Sequence, residues 1–401
     1  MTSKQFELSN PLIFLMALAI GVIVADLYYL QPLLHQVSKD FAISSSKASL
    51  LMTLVQVGYA LGLAFVVPLG DIIPRRRLLV GIYLLAAILM GAAASIHSFN
   101  AFAIMSLFIG LTSVGGQVIV PFAADFAKES ERSRVIAKVM TGLLLGILFS
   151  RTFSGIMAQA LGWRGVYWIA AGLLVTIAAI LRLVLPEEFP REHMQYHELL
   201  YDAFSFILTH HHLRRRAYFG FLMFATFSAV WTVLSFHLAI GPFYYSNATI
   251  GLFGLFGVAG VLAANLTGTQ ADKDRLNLTT RVAGSLMLLS FAMFWFGRSE
   301  YLFLGVALIL LDAGMQGMQI SNQAIIYSLA PQKRSRINSI YMVSCFLGAS
   351  TGSFLVGHLY QRYGWAGACI LGAILTTAIM IPSFFWSAPK KVLAESGEPL
   401  V

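Results

Sequence analysis

Three ionisable residues interrupt long apolar stretches of the chain: Asp26, Arg151 and Asp312. If these stretches cross a membrane, each charge costs at least about 2.5 kcal/mol at the bilayer centre and should face a cavity or a partner. Asp26 and Arg151 lie at comparable depths in their stretches, so a contact made and broken between them could change the proton affinity of the aspartate. We predict that the three residues couple proton movement to solute movement. The alternatives are a static Asp26–Arg151 pair and a solvated vestibule position for Asp312.

Polar and aromatic residues within the same stretches could line a binding cavity. Gln117 and Gln319 occupy matching places 202 residues apart and could contact a solute from two sides or simply bond to a neighbouring helix; we favour solute contact. His237 lies near a stretch end and could equally be a solvated structural residue. The other candidate contacts are Tyr28, Tyr29, Gln31, Gln56, Tyr59, Trp231, Gln316 and Asn322. Such a lining suits a moderately apolar or cationic organic solute better than a phosphorylated one.

The elements that must position these residues are membrane-spanning helices. The 401-residue chain is 58% hydrophobic and 11% charged, with a mean hydropathy of +0.76, which is too little charge to solvate a globular surface. The apolar stretches are continuous rather than alternating, which favours helices over strands. About twelve are long enough to span, starting near Leu12, Leu50, Leu78, Ala101, Val135, Val166, Ala217, Ile250, Thr280, Leu302, Ile337 and Ala366. The sequence therefore predicts an all-α membrane protein with twelve transmembrane helices.

The basic residues indicate how the spans are oriented. The formal net charge is +9, but lysine and arginine fall in short clusters in alternate loops, which is a topology signal rather than a nucleic-acid footprint. By the positive-inside rule both termini are predicted to be cytoplasmic. Residues 11–34 lack a cleavage site and are predicted to be a retained first span. Cys345 and Cys369 lie in apolar runs and are interpreted as small buried hydrophobes.

Short phrases of the sequence recur one half-length apart. Arg132-Ser-Arg134 returns as Arg334-Ser-Arg336 (334 − 132 = 202), and the same offset carries Gly162-Trp163 onto Gly364-Trp365. A repeat of this kind predicts two equivalent halves, as in many secondary transporters. We place a six-helix bundle at 1–185, a cytoplasmic linker at 186–216 and a second six-helix bundle at 217–401. Within the linker, the apolar spacing of Tyr196 to Leu213 predicts an amphipathic helix on the membrane surface.

Two loops carry a recognisable motif. The loop Val67-Pro-Leu-Gly-Asp71-Ile-Ile-Pro74-Arg75-Arg76 is similar to Gly-x-x-x-Asp-Arg-x-Gly-Arg-Arg with both glycines replaced, and Gly268-Thr-Gln-Ala-Asp272-Lys273 keeps the Gly-x-x-x-Asp spacing. With these loops and a glycine-rich fifth span, the chain resembles the Major Facilitator Superfamily, in particular its twelve-span bacterial drug/proton antiporter-like members. The arginine usual in the fourth span of such antiporters is Ser106 here, and we expect Arg151 to take over its charge.

The resemblance implies a gate at the motif loops. In the family the acid at the position of Asp71 faces a helix N-terminus in the other half, and the repeat gives Asp272 the equivalent place. We expect Asp125 to compete for Arg75 or Arg76, and these contacts to latch the cytoplasmic side. Gly146 and Gly155 of the glycine-rich span could seal or hinge the halves, or serve close helix packing alone. Gly268 completes the set of gate candidates.

Together these features predict a proton-coupled transporter that exports small organic compounds, drug-like or metabolic, across a bacterial-type inner membrane by alternating access. The alternatives are an uptake carrier or facilitator of the same fold and, from another class, a non-transporting receptor or scaffold. No nucleophile–base set, metal-ligand cluster or phosphate loop is apparent, so we predict no enzymatic activity. The run His210-His211-His212 lacks a second ligand type at metal spacing. We expect no cofactor, no metal and no nucleic acid, and a monomer whose partners are the solute, protons and the bilayer.

Overall fold

The fold is helical throughout the part of the chain that the computed structural model describes, which is residues 8–186, 195–258, 276–329 and 334–386. These ranges contain no β-strand. The all-α fold predicted from continuous apolar stretches is therefore confirmed. Gly268 and Asp272, two of the predicted gate residues, lie outside the described residues.

Thirteen α-helices can be given bounds in the described ranges. They are α1 Asn10–Ala25, α2 Leu34–Asp40, α3 Ser45–Leu61, α4 Arg75–Ser95, α5 Phe99–Thr112, α6 Gly115–Phe126, α7 Arg132–Val184, α8 Tyr196–Thr209, α9 His211–Ala239, α10 Asn247–Leu252, α11 Leu276–Phe296, α12 Tyr301–Leu329 and α13 Arg334–Phe385. A π-helical segment, Gly62–Val66, and a 3₁₀ segment, Val67–Asp71, continue α3 towards the motif loop. Every predicted span start lies inside one of these helices.

Eight helical stretches in the described ranges are long and apolar enough to cross a membrane. The two longest, Glu129–Val184 and Ile337–Phe385, each turn at a glycine of positive φ: Gly162 at 71° and Gly364 at 57°. Left-handed backbone favours glycine because a Cβ clashes there, and here it reverses the chain with almost no loop. Two shorter apolar helices, Asn10–Ala25 and Asn247–Gly257, accompany the eight. The arrangement is consistent with twelve spans.

By internal packing the chain divides into two units. The first comprises residues 1–200 and 231–255, as far as they are described. In it α1 packs on the first half of α7, and α3 packs on α5 through glycines: a Cβ on Gly58 would lie 1.9 Å from the Leu107 carbonyl oxygen, and one on Gly110 would lie 1.9 Å from that of Val55. Helix backbones can touch only where such small residues meet.

The second unit comprises residues 201–230 and 256–401, again as far as they are described. Here α11 packs on α12 and α13. The first part of α9 meets α13 backbone to backbone, since a Cβ on Gly348 would lie 2.0 Å from the Phe221 carbonyl oxygen and one on Gly352 would lie 2.1 Å from that of Ala225. Buried Ser228 and Ser353 share a hydrogen bond of 2.7 Å at the same contact.

Two helices end earlier than the sequence indicates. Within the predicted first span, residues 11–34, the α-helix ends at Ala25, and a turn precedes the 3₁₀ segment Gln31–Leu33. Pro32 has no N–H to donate to the Tyr28 carbonyl, so a regular α-helix cannot continue unbroken through this segment. The predicted linker helix reaches Thr209 rather than Leu213, because the chain breaks at His210 and a new helix starts at His211.

Candidate functional site

The break in the first span presents an acidic side chain inside the first unit. Asp26 follows α1 directly and is only 3% exposed. Leu27, Tyr28 and Tyr29 donate their backbone N–H groups back to Val24 or Ala25, which closes the turn. Among the described residues neither carboxylate oxygen of Asp26 has a hydrogen-bond partner. An ionised carboxylate without donors is costly to bury, so the site gains from binding a proton or another cation.

A buried arginine of α7 contacts the same broken first span five residues beyond Asp26, at Gln31. The Arg151 Nε donates a 2.6 Å hydrogen bond to Gln31 Oε1, and the guanidinium carbon lies 3.9 Å from the centre of the Trp231 ring and 4.9 Å from that of Tyr28. Arg151 is 3% exposed. Aromatic faces attract a guanidinium through their quadrupole, more strongly when water is excluded. Four of the predicted site residues therefore meet at one point.

The predicted contact between Asp26 and Arg151 is absent. The prediction treated the first span as one continuous helix that would bring the two side chains to equal depth. The regular α-helix ends at Ala25, and Gln31 and two aromatic rings contact the guanidinium instead. The static ion pair offered as the alternative is absent for the same reason. The carboxyl and the guanidinium form two separate centres in this conformation.

Further predicted residues surround these centres in the first unit. Tyr29, Gln56 and Tyr59 are buried, and Tyr59 is hydrogen-bonded to Gln117. His237 is buried, 6% exposed, with its ring edge-on to Phe243 at 5.5 Å between ring centres. The sequence placed it near the outer end of its span, and α9 does end two residues later at Ala239.

The end of the first unit that contains Arg151 is tightly closed. A Cβ on Gly155 would lie 2.4 Å from the Asn247 carbonyl oxygen, and one on Gly251 would lie 2.6 Å from the Arg151 carbonyl oxygen. Thr152 donates a 3.1 Å hydrogen bond to the Gly251 carbonyl. The cavity lined by Arg151, Gln31 and Trp231 measures only about 10 Å³, room for about one water. This cavity is too small to hold an organic solute in this conformation.

Gly146 does not share the position of Gly155. It lies against the first span, where a Cβ would approach the Gly21 carbonyl oxygen to 2.5 Å. Gly142 makes the same kind of contact with Ala17, at 1.9 Å. These two glycines allow close packing of α1 on α7, the alternative that the sequence left open for them.

In the second unit a different set of predicted residues forms one polar network. Tyr341 donates a 2.7 Å hydrogen bond to Gln319 Oε1 and accepts one of 3.1 Å from Asn322 Nδ2. Arg216 Nη1 reaches Asn322 Oδ1 at 3.4 Å and Thr280 Oγ1 at 3.3 Å. Gln319 is thus bonded to a neighbouring helix, which was the alternative to solute contact. Asp312, 6% exposed, and the half-buried Gln316 lie on the same helix α12.

Arg216 is a buried residue that the sequence reasoning missed. It was assigned to a cytoplasmic loop with Arg214 and Arg215, yet it lies inside α9 and is 4% exposed. The signal was its helical position: Gly220, four residues on, faces Tyr341 and Cys345 of α13, and residues four apart share a helix face. In a basic cluster beside an apolar run, the helix face on which each residue lies must therefore be worked out, because one of the residues can point inward.

The motif loop after α3 brings three predicted gate residues together. Arg75 Nη1 contacts Asp125 Oδ2 at 2.5 Å, and Arg75 Nη2 lies 3.7 Å from Asp71 Oδ1. Arg75 thus contacts both acids in this structure, and competition between them stays a prediction. Arg76 donates a 2.9 Å bond to the Leu185 carbonyl just after α7. Arg75 is 7% exposed, so the motif loop is anchored to the end of α6 by a largely buried ion pair.

We expect Arg75→Gln to lower the free energy of unfolding by about 1 to 3 kcal/mol, because it leaves the carboxylate of Asp125 without its main partner. Thermal unfolding of the purified variant measures the loss. Arg77→Gln, an exposed neighbour of equal charge, should have little effect. If the loss comes from removing the main partner of Asp125, the double variant Arg75→Gln/Asp125→Asn should lose less unfolding free energy than Arg75→Gln alone. An equal or larger loss in the double variant contradicts this account.

Long apolar helices in two units, with a broken and polar first span, are typical of membrane transporters. The model of the Major Facilitator Superfamily matches residues 16–352, and the chain belongs to that family. It is similar to the uncharacterized transporter YgaY of Escherichia coli O157:H7, at 43% identity over 94% of this chain and 95% of the relative. It is 27% identical to the inner membrane transport protein YnfM of Escherichia coli K12, over 89% and 85%.

A solved structure shares the fold. The crystal structure of a bacterial homologue of the human lysosomal transporter Spinster, inward-facing and unoccupied, superimposes with a TM-score of 0.73 at 13% identity, covering 94% of this chain and 95% of that one. At this identity the likeness concerns the fold alone. As a member of the family that matches residues 16–352, the chain is a multi-pass membrane transporter that binds small-molecule substrates.

Proposed function

We propose that the protein is a proton-coupled secondary transporter that exports small organic compounds by alternating access. The observation that carries the proposal is Asp26, a buried carboxyl at a helix break whose oxygens have no hydrogen-bond partner among the described residues. Such a group can be neutral when it is buried and charged when water reaches it, so its protonation changes as the protein alternates. A residue that needs a proton in one state and can release it in another is a coupling site.

Arg151 has a different role in this proposal. Its guanidinium lies between aromatic rings and an amide, a surface that offers ring faces and hydrogen bonds to an organic solute. The guanidinium contacts Gln31, Tyr28 and Trp231 rather than Asp26, so a solute can displace Gln31 or stack on Trp231 without breaking an ion pair between Arg151 and Asp26. We assign proton binding to Asp26, with Asp312 as the second candidate, and solute contact to Arg151, Gln31, Tyr28 and Trp231.

The same reasoning extends to location and orientation. The relative YnfM is named as an inner membrane transport protein, and the alternate basic loops favour cytoplasmic termini. We infer a bacterial inner membrane location with both termini in the cytoplasm, and export as the direction of transport. The relatives are named as transporters, so we propose solute transport rather than catalysis.

The test uses purified protein in proteoliposomes with an imposed pH gradient. Solutes are first selected by thermal shift, since a bound ligand raises apparent stability by mass action. For one-for-one exchange, a gradient of one pH unit supplies about 1.4 kcal/mol, which is tenfold in solute concentration. We expect the solute and the protons to cross the membrane in opposite directions. Movement with the proton indicates uptake instead, and movement that ignores the gradient indicates a facilitator; either result overturns the proposed function.

A further inference from the structure

A long apolar groove runs along the contact between α1 and the first half of α7. It has a volume of about 840 Å³, and its lining residues all belong to the first unit. Its floor is the line of small residues where the two helix backbones touch, with Gly142 against Ala17 and Gly146 against Gly21. Large apolar side chains that remain exposed form its walls: Phe14, Leu18, Leu145 and Phe149. Small residues below and large ones beside them make an apolar channel.

One end of this groove is positively charged. Lys138 is exposed there, and its Nζ donates a 3.1 Å hydrogen bond to Asn10 Oδ1. An ammonium has three donors, so two more are available to a ligand. Arg134 is exposed one helical turn earlier on the same helix. Of the described residues that line the groove, none carries a carboxylate, so the end near Lys138 favours an anion.

The exposed part of the groove, between Lys138 and Phe149, matches half a bilayer in length, and the lining continues inward to the half-buried Phe153. From Lys138 to Phe149 the helix advances 11 residues, which at about 1.5 Å per residue is roughly 16 Å. The hydrocarbon core of a bilayer is about 30 Å thick, so one leaflet contributes about 15 Å. A lipid tail whose headgroup lies level with Lys138 would therefore end near Phe149.

We propose that this groove is a binding site for an anionic phospholipid, which lays one acyl chain between α1 and α7 and places its phosphate against Lys138. The apolar walls would hold the chain of any phospholipid. Lys138, with Arg134 behind it, distinguishes an anionic headgroup from a zwitterionic one, because a basic residue near a membrane surface favours anionic lipid by about 1 kcal/mol, or roughly fivefold. The site is independent of the solute and of the coupling ion.

The experiment measures retained lipid by native mass spectrometry on the full-length protein. The probes are phosphatidylglycerol and phosphatidylcholine with identical acyl chains. We expect the wild type to retain phosphatidylglycerol about fivefold more tightly. Lys138→Gln should bring the two lipids to within about twofold, while Arg77→Gln, which removes an exposed charge elsewhere, should keep the wild-type preference.

A second pair of variants tests the groove itself. Leu145→Trp fills the channel between the walls and should release both lipids, whereas Ile88→Trp, at an exposed apolar position of α4 outside the groove, should retain them. The proposal is overturned if Lys138→Gln keeps the preference as fully as Arg77→Gln does. It is equally overturned if Leu145→Trp retains lipid as well as Ile88→Trp.

Discussion

Asp26→Asn should abolish gradient-driven accumulation of solute in proteoliposomes while leaving solute binding and one-for-one solute exchange in place. The asparagine side chain has the shape of the carboxyl but cannot carry a proton between the two states. Under a gradient of one pH unit, we expect the roughly tenfold accumulation of the wild type to fall to the level without a gradient. Because the oxygens of Asp26 accept no hydrogen bond from a described residue, the substitution breaks no such contact, and expression should stay near normal.

Two further variants test whether the loss of accumulation is specific to the carboxyl group of Asp26. Asp26→Glu keeps a titratable carboxyl one methylene further out and should retain part of the accumulation, which a purely structural role would not explain. Asp312→Asn removes the other buried acid considered for coupling and should retain gradient-driven movement. Accumulation at the wild-type level in Asp26→Asn, with loss in Asp312→Asn, contradicts the assignment and moves the proton site to Asp312.

Gly155→Leu should prevent the close contact between α7 and α10 and stop transport. A Cβ at this position would lie 2.4 Å from a backbone oxygen and 2.8 Å from the Gly251 Cα, and a backbone cannot yield as a flexible side chain does. The two helices must separate, which opens a path to Arg151. A reporter cysteine at the buried Ile250 measures the opening, in a background where Cys345 and Cys369 are replaced by serine. We expect labelling of the Ile250→Cys reporter to become at least about tenfold faster, the result of shifting the closed state by about 1.4 kcal/mol.

The control is the same substitution in the same helix. A Cβ on Gly172 would meet nothing within 4 Å, so Gly172→Leu should leave both the labelling rate and transport unchanged. Equal labelling in Gly155→Leu and Gly172→Leu would show that the glycine contact does not control access to Arg151.

The sequence was a reliable guide wherever one physical cause dominated. Bilayer thickness and continuous apolar composition located the helices, since each predicted span start lies inside one. The structure also brings Tyr28 and Gln31 of the first span together with Trp231 and Arg151, although Arg151 was predicted to pair with Asp26. Their selection needed only the rule that polar groups in a membrane face inward.

What the sequence could not supply was local backbone direction. Composition treats residues 11–34 as one apolar segment, although the missing N–H of Pro32 was visible and marks the region where the helix breaks. That break decides whether Asp26 faces Arg151, so the predicted pair failed with it. Arg216 failed for a related reason, because hydropathy averages over a window and cannot tell the inward residue of a basic run from its outward neighbours.

The two left-handed glycines set a limit on how the transporter moves. Gly162 and Gly364 stand 202 residues apart (364 − 162 = 202), and each reverses the chain inside what is otherwise uninterrupted helix. Because a single residue connects the two helices, they cannot slide or tilt independently, as they could if a long loop connected them. Each therefore acts as a stiff hairpin, and a displacement of the segment around Arg151 must carry the helix after Gly162 with it. Lengthening this joint with a flexible insert would uncouple the two arms of the hairpin while leaving every side chain of the binding region in place.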